Sequence, residues 1–194
     1  MKKLGSFIFA LLLPSVALAA NTSAYTSFDL KKCKVLRAPV PDEEDGGSSL
    51  CKGYGKLKMY FSEGDLRTTI AFGTNPQDHC ASGQSFGHFN SVNAAIEWRL
   101  HNGKPLATIQ RWYVAQGDDA PKDKDWLVVT KLEPTNSCRM AVIEGALPQA
   151  NAKAREVADQ LSPTFKCETD EVKIILAPGS KQDDISSYGT CKKN

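Results

Sequence analysis

The stretch IEWRLHNGKPLATIQRWYV, residues 96–114, decides the fold because it predicts a long β-hairpin centred on Asn102-Gly103. Asn-Gly is the strongest short hairpin signal, since both central residues of a type I′ turn need a positive φ. A two-residue loop at this point pairs residues whose numbers sum to 205. That register places Trp98 and Trp112 on opposite sides of the ribbon, and a shift of one residue would reverse the assignment.

The same register separates Arg99 from Arg111 and leaves Arg111 on the more apolar face of the hairpin. A buried arginine needs a partner, and we expect it to be Glu63 or Asp65 in the SEGD turn. Alternatively, Arg99 or Arg111 binds a carboxylate or phosphate ligand. The candidate binding residues are Arg99, Arg111, Glu97, His88 and Trp112.

Segments on both sides of the hairpin alternate apolar and polar residues with a period of two, which predicts strands. WLVVTKL and CRMAVIEG are apolar on both faces and therefore need cover on both sides. PQANAKAREVADQLS is the one clear helix, with Pro148 in its first turn and an alanine-rich stripe. This order predicts a single α+β domain with a mostly antiparallel sheet and one helix packed on it. The other predicted strands are LKKCKVLR, KLKMYFS, LRTTIAF and EVKIILA.

The first nineteen residues have the features of a cleavable signal peptide: MKK, an apolar run and the small-residue pattern Ala17-Leu18-Ala19. An uncleaved anchor is the alternative. Cleavage leaves one domain of about 175 residues, 20–194, with a polar tail from about residue 178. We therefore expect a soluble periplasmic protein without membrane insertion.

All six cysteines follow the signal peptide, and no CxxC spacing indicates a zinc or redox site. In an oxidising compartment an even count predicts three disulfides, for which 15 pairings exist. We expect one bond across the acidic Gly-Ser loop and one that holds the polar tail. The expected pairs are Cys33–Cys51, Cys138–Cys167 and Cys80–Cys191.

The charges of the exported chain are balanced. Removal of Lys2 and Lys3 from 24 Lys and Arg leaves 22, against 22 Asp and Glu. Nucleic-acid binding depends on neutralising phosphates with a basic surface, so the balance argues against it. It argues equally against attachment to a membrane surface.

Few residues suggest catalysis. GQSFG, residues 83–87, matches the serine hydrolase pattern around Ser85, but that pattern needs a preceding strand and a following helix. Its segment, residues 73–90, is instead a long irregular connection. The acidic run at residues 42–45 lacks calcium-loop spacing. The histidines, His79, His88 and His101, lack metal-ligand spacing, so we expect no metal or cofactor.

The motifs DLKKC, CKGYG, EGDLR, IEWRL, GKPLATIQRWY, LVVTKL and ANAKAREVAD, with the later FKC, resemble a family of small exported proteins of alphaproteobacteria. No activity is assigned to that family. The resemblance covers most of residues 30–167, and it implies a periplasmic location and a shared fold but no reaction. Cys80 and the tail with Cys191 depart from the pattern, which supports their pairing.

Together these features predict a non-enzymatic envelope protein that binds a protein partner, a cell-wall component or a small anionic ligand. The prediction depends on the lack of a nucleophile–base pair and of a metal cluster in the sequence pattern. One alternative is a periplasmic hydrolase with its site between residues 73–90 and the hairpin at 96–114. The other is a purely structural envelope factor.

Overall fold

The computed structural model describes residues 21–40, 46–116, 122–181, 187–188 and 191. The predicted signal peptide, the acidic run at residues 42–45 and most of the tail after residue 181 lie outside the described residues. The elements in chain order are β1 (Asn21–Ser27), β2 (Lys34–Arg37), β3 (Gly47–Lys52), β4 (Lys58–Gly64), β5 (Arg67–Gly73), β6 (Ser85–Phe86), β7 (Asn90–His101), β8 (Lys104–Val114), β9 (Lys124–Leu132), β10 (Ser137–Glu144), α1 (Ala150–Leu161), β11 (Lys173–Ile175) and β12 (Ser187–Tyr188).

Two sheets and one helix form three layers. The large sheet has six strands in the order β1-β7-β8-β9-β10-β11, and all its pairs are antiparallel except β10 with β11. The small sheet has the antiparallel order β2-β3-β4-β5, and β6 pairs with β12. α1 packs on one face of the large sheet and the small sheet covers the other. This confirms the predicted α+β class and provides the second cover that the doubly apolar strands need.

The two faces of the large sheet form different cores. Between the sheets the core is aromatic, and Phe72 meets Trp98 edge-to-face with ring centroids 5.4 Å apart. Under α1 the core uses small side chains, because Ala154 and Ala158 let the helix approach the sheet closely. The largest side chains between the sheets are Met59, Phe61, Phe72, Trp98, Trp112 and Trp126.

Several boundaries differ from the sequence prediction. The predicted first strand begins as a 3-10 turn at Leu30–Lys32. β3, Gly47–Lys52, begins within the predicted acidic Gly-Ser loop, because Cys51 packs beside Met59 on the inner face of the small sheet. The helix starts at Ala150 instead of Pro148. β1 is not among the predicted strands, because its Ser- and Thr-rich sequence lacks a clear apolar alternation.

The three predicted disulfides are all present. They close chain separations of 18, 111 and 29 residues, with Cα–Cα distances of 4.5, 5.5 and 5.6 Å. The bonds are, in the same order, Cys33–Cys51, Cys80–Cys191 and Cys138–Cys167. Among the described residues, no helix combines the length and apolar character needed to cross a bilayer.

Candidate functional site

The β7–β8 hairpin turns where the sequence predicts, but its register shifts by one residue beside the turn. Leu100 opposes Pro105 whereas Arg99 opposes Ala107, so Leu106 is an extra residue on β8. Such a bulge places two residues of one strand opposite one residue of its partner. Every side chain of β8 beyond Leu106 therefore faces the side opposite to the predicted one.

The bulge corrects the predicted distribution of side chains. Trp98 and Trp112 both lie in the core between the sheets. Glu97, Arg99 and Arg111 all face α1, since each hydrogen-bonds a helix residue. The prediction that the two tryptophans, and the two arginines, point to opposite sides is wrong because it counted from the turn without a bulge.

Arg99 and Glu97 belong to one ionic network under α1. Arg99 donates through Nε and Nη2 to the carboxylate of Asp159 at 3.0 and 2.5 Å, and through Nη1 to Ser23 Oγ at 2.7 Å. Ser23 Oγ donates to Glu97 Oε1 at 2.5 Å, and that oxygen also accepts from Arg155 Nε at 2.6 Å. The hydrogen bond to Glu97 raises the pKa of Arg155. These charges neutralise one another and tie α1 to β1 and β7.

Arg111 is also paired. It contacts the carboxylate of Asp125 on the adjacent strand β9, and its Nη2 donates to Asn151 Oδ1 at 3.3 Å. The predicted partners Glu63 and Asp65 lie on the small sheet, across the large one, so that pairing is wrong. An anionic ligand at this site would have to displace a carboxylate that is already bound.

The remaining two candidate residues lie elsewhere. Trp112 is buried between the sheets, where the guanidinium of Arg139 stacks 4.6 Å from the centre of its ring. Burial lowers the pKa of Arg139 to about 9. His88 is exposed in the loop that follows β6. The structure therefore brings together three of the five residues, under the helix, and leaves the other two apart.

Ser85 and His79 of the 73–90 segment form hydrogen bonds within the fold. Buried Ser85 donates through Oγ to the carbonyl of Thr68 at 2.7 Å and accepts from Asn90 Nδ2 at 3.2 Å. His79 Nδ1 lies 3.1 Å from the carbonyl of Phe72, and burial lowers the pKa of this histidine. Within the described residues, no three His, Cys, Asp or Glu side chains group as metal ligands would.

A groove opens where the two sheets diverge at one end of the aromatic core. Its volume is about 510 Å³, and the rings of Phe28 and Phe61 lie 6.3 Å apart in it. Pockets of this size and apolar lining are typical of binding sites. The described lining residues are Phe28, Leu30, Phe61, Glu63, Leu66, Thr68, Phe89, Asn90, Ser91, Val92, Ala115 and Asp123. We call this site the apolar groove.

Two large apolar side chains stand at the rim of the apolar groove. Leu66 is 57% exposed and Phe89 is 46% exposed, with the guanidinium of Arg67 5.0 Å from the Phe89 ring centre. Leu66 follows Asp65 in the two-residue turn between β4 and β5, and their φ values are 54° and 50°. Left-handed backbone costs a residue with a Cβ roughly 1–2 kcal/mol. An exposed leucine is therefore held in an unfavourable conformation at the mouth of the groove.

The charged side chains that line the apolar groove are acidic, while Arg67 at its mouth is paired with Asp65. Glu63 and Asp123 are the groove's charged side chains among the described lining residues. A Cβ on Gly46 would lie 2.6 Å from the Glu63 carboxylate, so the chain packs against Glu63 directly after the acidic run at residues 42–45. Carboxylates beside an apolar floor favour a ligand that is both apolar and positively charged.

Sequence reasoning missed this site because the predicted strand LRTTIAF begins at Leu66 and so places that residue in a strand and not in a turn. In the structure the turn lies at Asp65-Leu66, one residue later than the Glu-Gly-Asp turn that the sequence suggested. The pairing of Gly64 with Arg67 fixes that position. β4 and β5 have seven residues each, so a two-residue turn at Asp65-Leu66 separates strands of equal length.

Comparisons with protein-family models, with curated proteins and with solved structures found no match to this chain. Its class is therefore defined by its own fold and site. The protein is a disulfide-linked α+β protein of two packed sheets with an acid-rimmed apolar groove at one end of the aromatic core. The resemblance to an exported alphaproteobacterial family stays a prediction.

Proposed function

We propose that this protein is a non-enzymatic, exported binding protein of the cell envelope. Its apolar groove captures an apolar, positively charged segment of a protein partner. The signal peptide of the sequence and the three disulfides support the exported location, because such bonds persist in oxidising compartments. The periplasm is the compartment that we propose.

The observation that carries the proposal is the exposed, left-handed Leu66 beside Phe89 at the mouth of the groove. Backbone strain concentrates at functional sites, where it serves a role other than stability. Adjacent exposed apolar side chains around a concave floor are typical of protein-binding surfaces. Asp-Gly would form the same turn without strain, so the leucine side chain needs another reason.

The charges of the molecule favour a cationic segment over the anionic ligand that the sequence suggested. Arg99 and Arg111, the expected anion-binding residues, are already engaged by Asp159 and Asp125. The groove instead presents carboxylates. A partner segment with lysine or arginine beside leucine or phenylalanine would match both its floor and its rim.

Two matched peptides test the proposal: acetyl-Lys-Phe-Leu-Lys-amide and acetyl-Glu-Phe-Leu-Glu-amide. Amide chemical shifts of the labelled protein measure binding and locate it. We expect the lysine peptide to bind about tenfold more tightly, because two rim charges change from attraction to repulsion. The shifts should concentrate at Leu66, Phe89 and Val92.

Phe89→Ala should weaken binding of the lysine peptide by about tenfold, since it removes roughly half a phenylalanine of buried contact. Glu63→Gln should reduce the preference for the lysine peptide. Val40→Ala is the matched control, because Val40 is also an exposed apolar residue but does not line the groove. Equal affinity for the two peptides, or equal loss in the control, would refute the proposed occupant.

A further inference from the structure

The outer face of the small sheet carries a cluster of lysines at the end away from the apolar groove. Lys52 on β3 and Lys58 on β4 are direct partners in the ladder, and Lys56 lies in the turn between these strands. Lys34 on β2 opposes Leu50 in the next pair. We call Lys34, Lys52, Lys56 and Lys58 the lysine face.

The charges of the lysine face are not paired with carboxylates in the described part of the chain. Like charges directly opposite each other on neighbouring strands destabilise a sheet, so the Lys52–Lys58 pair is unfavourable by itself. None of the four lysines forms an ion pair within the described part of the chain, and all four are exposed. Three of them line a cavity of about 320 Å³ together with Leu50 and Leu57, and no carboxylate is among its described lining residues. A negatively charged surface outside the molecule would remove the repulsion.

An apolar side chain beside the lysines indicates which kind of anionic surface fits. Val35 and Leu36 on β2, the edge strand of the small sheet, are 57% and 43% exposed. Leu36 is two residues from Lys34 and therefore shares its side of the strand, whereas Val35 projects to the opposite side, level with Phe61. Surfaces that combine lysines with an exposed aliphatic side chain bind the interface of anionic membranes, where the charges meet phosphates and the apolar group enters the headgroup boundary. A soluble polyanion would make no use of Leu36.

We propose that the lysine face docks this protein on the surface of an anionic phospholipid bilayer. The four lysines and the aliphatic side chain of Leu36 form the contact. The apolar groove lies at the other end of β4, since Glu63 is five positions from Lys58. Docking by the lysine face therefore leaves the groove open to a partner.

Vesicle co-sedimentation of the intact oxidised protein tests this inference. The probes are vesicles of phosphatidylglycerol mixed with phosphatidylcholine, and vesicles of phosphatidylcholine alone. We expect binding only to the mixed vesicles, and its loss at about 1 M salt, where the Debye length falls to about 3 Å. The double variant Lys52→Gln/Lys58→Gln should bind about 25-fold more weakly, since each lysine near an anionic surface contributes about fivefold.

The double variant Lys104→Gln/Lys181→Gln is the matched control. It changes the net charge equally at two exposed lysines outside the lysine face, and its partitioning should change less than twofold. Equal losses in both double variants, or equal binding to uncharged vesicles, would overturn the proposal.

Leu36→Ser separates a membrane from a soluble polyanion. This variant should weaken vesicle binding while retention on a heparin column stays unchanged. Retention on heparin without any vesicle binding by the natural sequence would overturn the membrane assignment. A urea titration of every variant shows whether it is folded, and removal of the Lys52–Lys58 repulsion should not lower the midpoint.

Discussion

Strain at Leu66 can be measured with a pair of substitutions that differ only at Cβ. Leu66→Ala and Leu66→Gly both remove the exposed leucine side chain, so they lose the same contacts at the rim of the groove. Only glycine also relieves the left-handed backbone at φ 54°. At ordinary positions alanine is the more stable of the two by roughly 0.5–1 kcal/mol. At residue 66 we expect the opposite order.

The magnitude follows from two opposing effects. Left-handed backbone costs alanine roughly 1–2 kcal/mol, and glycine loses roughly 0.5–1 kcal/mol more conformational entropy on folding. The Leu66→Gly variant should therefore be more stable than the Leu66→Ala variant by about 1 kcal/mol. With a urea m-value of about 2 kcal/mol/M for a chain of this size, the midpoints should differ by about 0.5 M.

The Asn102-Gly103 turn supplies the control, because it has the same two-residue form and Gly103 has φ 75°. A Cβ on Gly103 would meet no atom within 4 Å, so Gly103→Ala changes backbone strain without a clash. It should lower the free energy of unfolding by the same amount of about 1 kcal/mol. If Leu66→Ala were as stable as Leu66→Gly while Gly103→Ala was destabilised, Leu66 would not be strained.

Two further predictions concern stability. Burial lowers the pKa of His79 below its ordinary 6.5, so the unfolded chain binds the proton more readily. The free energy of unfolding should therefore fall as the pH drops below about 6.5. In the His79→Gln variant the urea midpoint should depend less on pH in this range. An unchanged dependence would show that His79 does not cause the loss of stability. Removal of Cys80–Cys191 should cost about 1.5 kcal/mol more than removal of Cys33–Cys51, because they close separations of 111 and 18 residues. Urea titrations of the two double-alanine variants measure the difference, and an equal loss would contradict the loop-entropy account.

Local signals were sufficient for much of the fold. The Asn-Gly turn located the central hairpin, and the alanine stripe located α1 within two residues of its start. The expected disulfide pairs rested on an even cysteine count, on the acidic Gly-Ser loop and on the polar tail, and all three pairs are present. The hairpin turn and the helix depend on residues that are neighbours in sequence, so no knowledge of the packed core was needed for them.

The bulge at Leu106 depends on distant residues and could not be predicted in this way. In the register without a bulge, Glu97 and Arg99 would share a face with Trp112 and lie between the two sheets. The bulge turns both charges toward α1, where Arg155 and Asp159 neutralise them from about 60 residues further along the chain. Because both faces of this hairpin are buried, its hydrophobic pattern could not decide the register.

The apolar groove was hidden for a related reason. Its described lining residues come from five separate parts of the chain, and neither a leucine nor a phenylalanine side chain by itself indicates a binding site. The sequence instead drew attention to arginines and tryptophans, which the fold uses for ion pairs and for the core. Arginine and tryptophan indicate a binding site only where the fold leaves them accessible. Here the accessible side chain is Leu66.

Balanced charge is the inference that the structure changes most. The chain has nearly equal numbers of acidic and basic residues, yet Lys58 and Glu63 stand at opposite ends of β4, about 17 Å apart at 3.4 Å per residue. At physiological ionic strength the Debye length is about 8 Å, so a partner at one end is screened from the charges at the other. A net charge near zero therefore does not argue against binding to a membrane surface. Lys58 and Glu63 give the two ends of β4 charges of opposite sign.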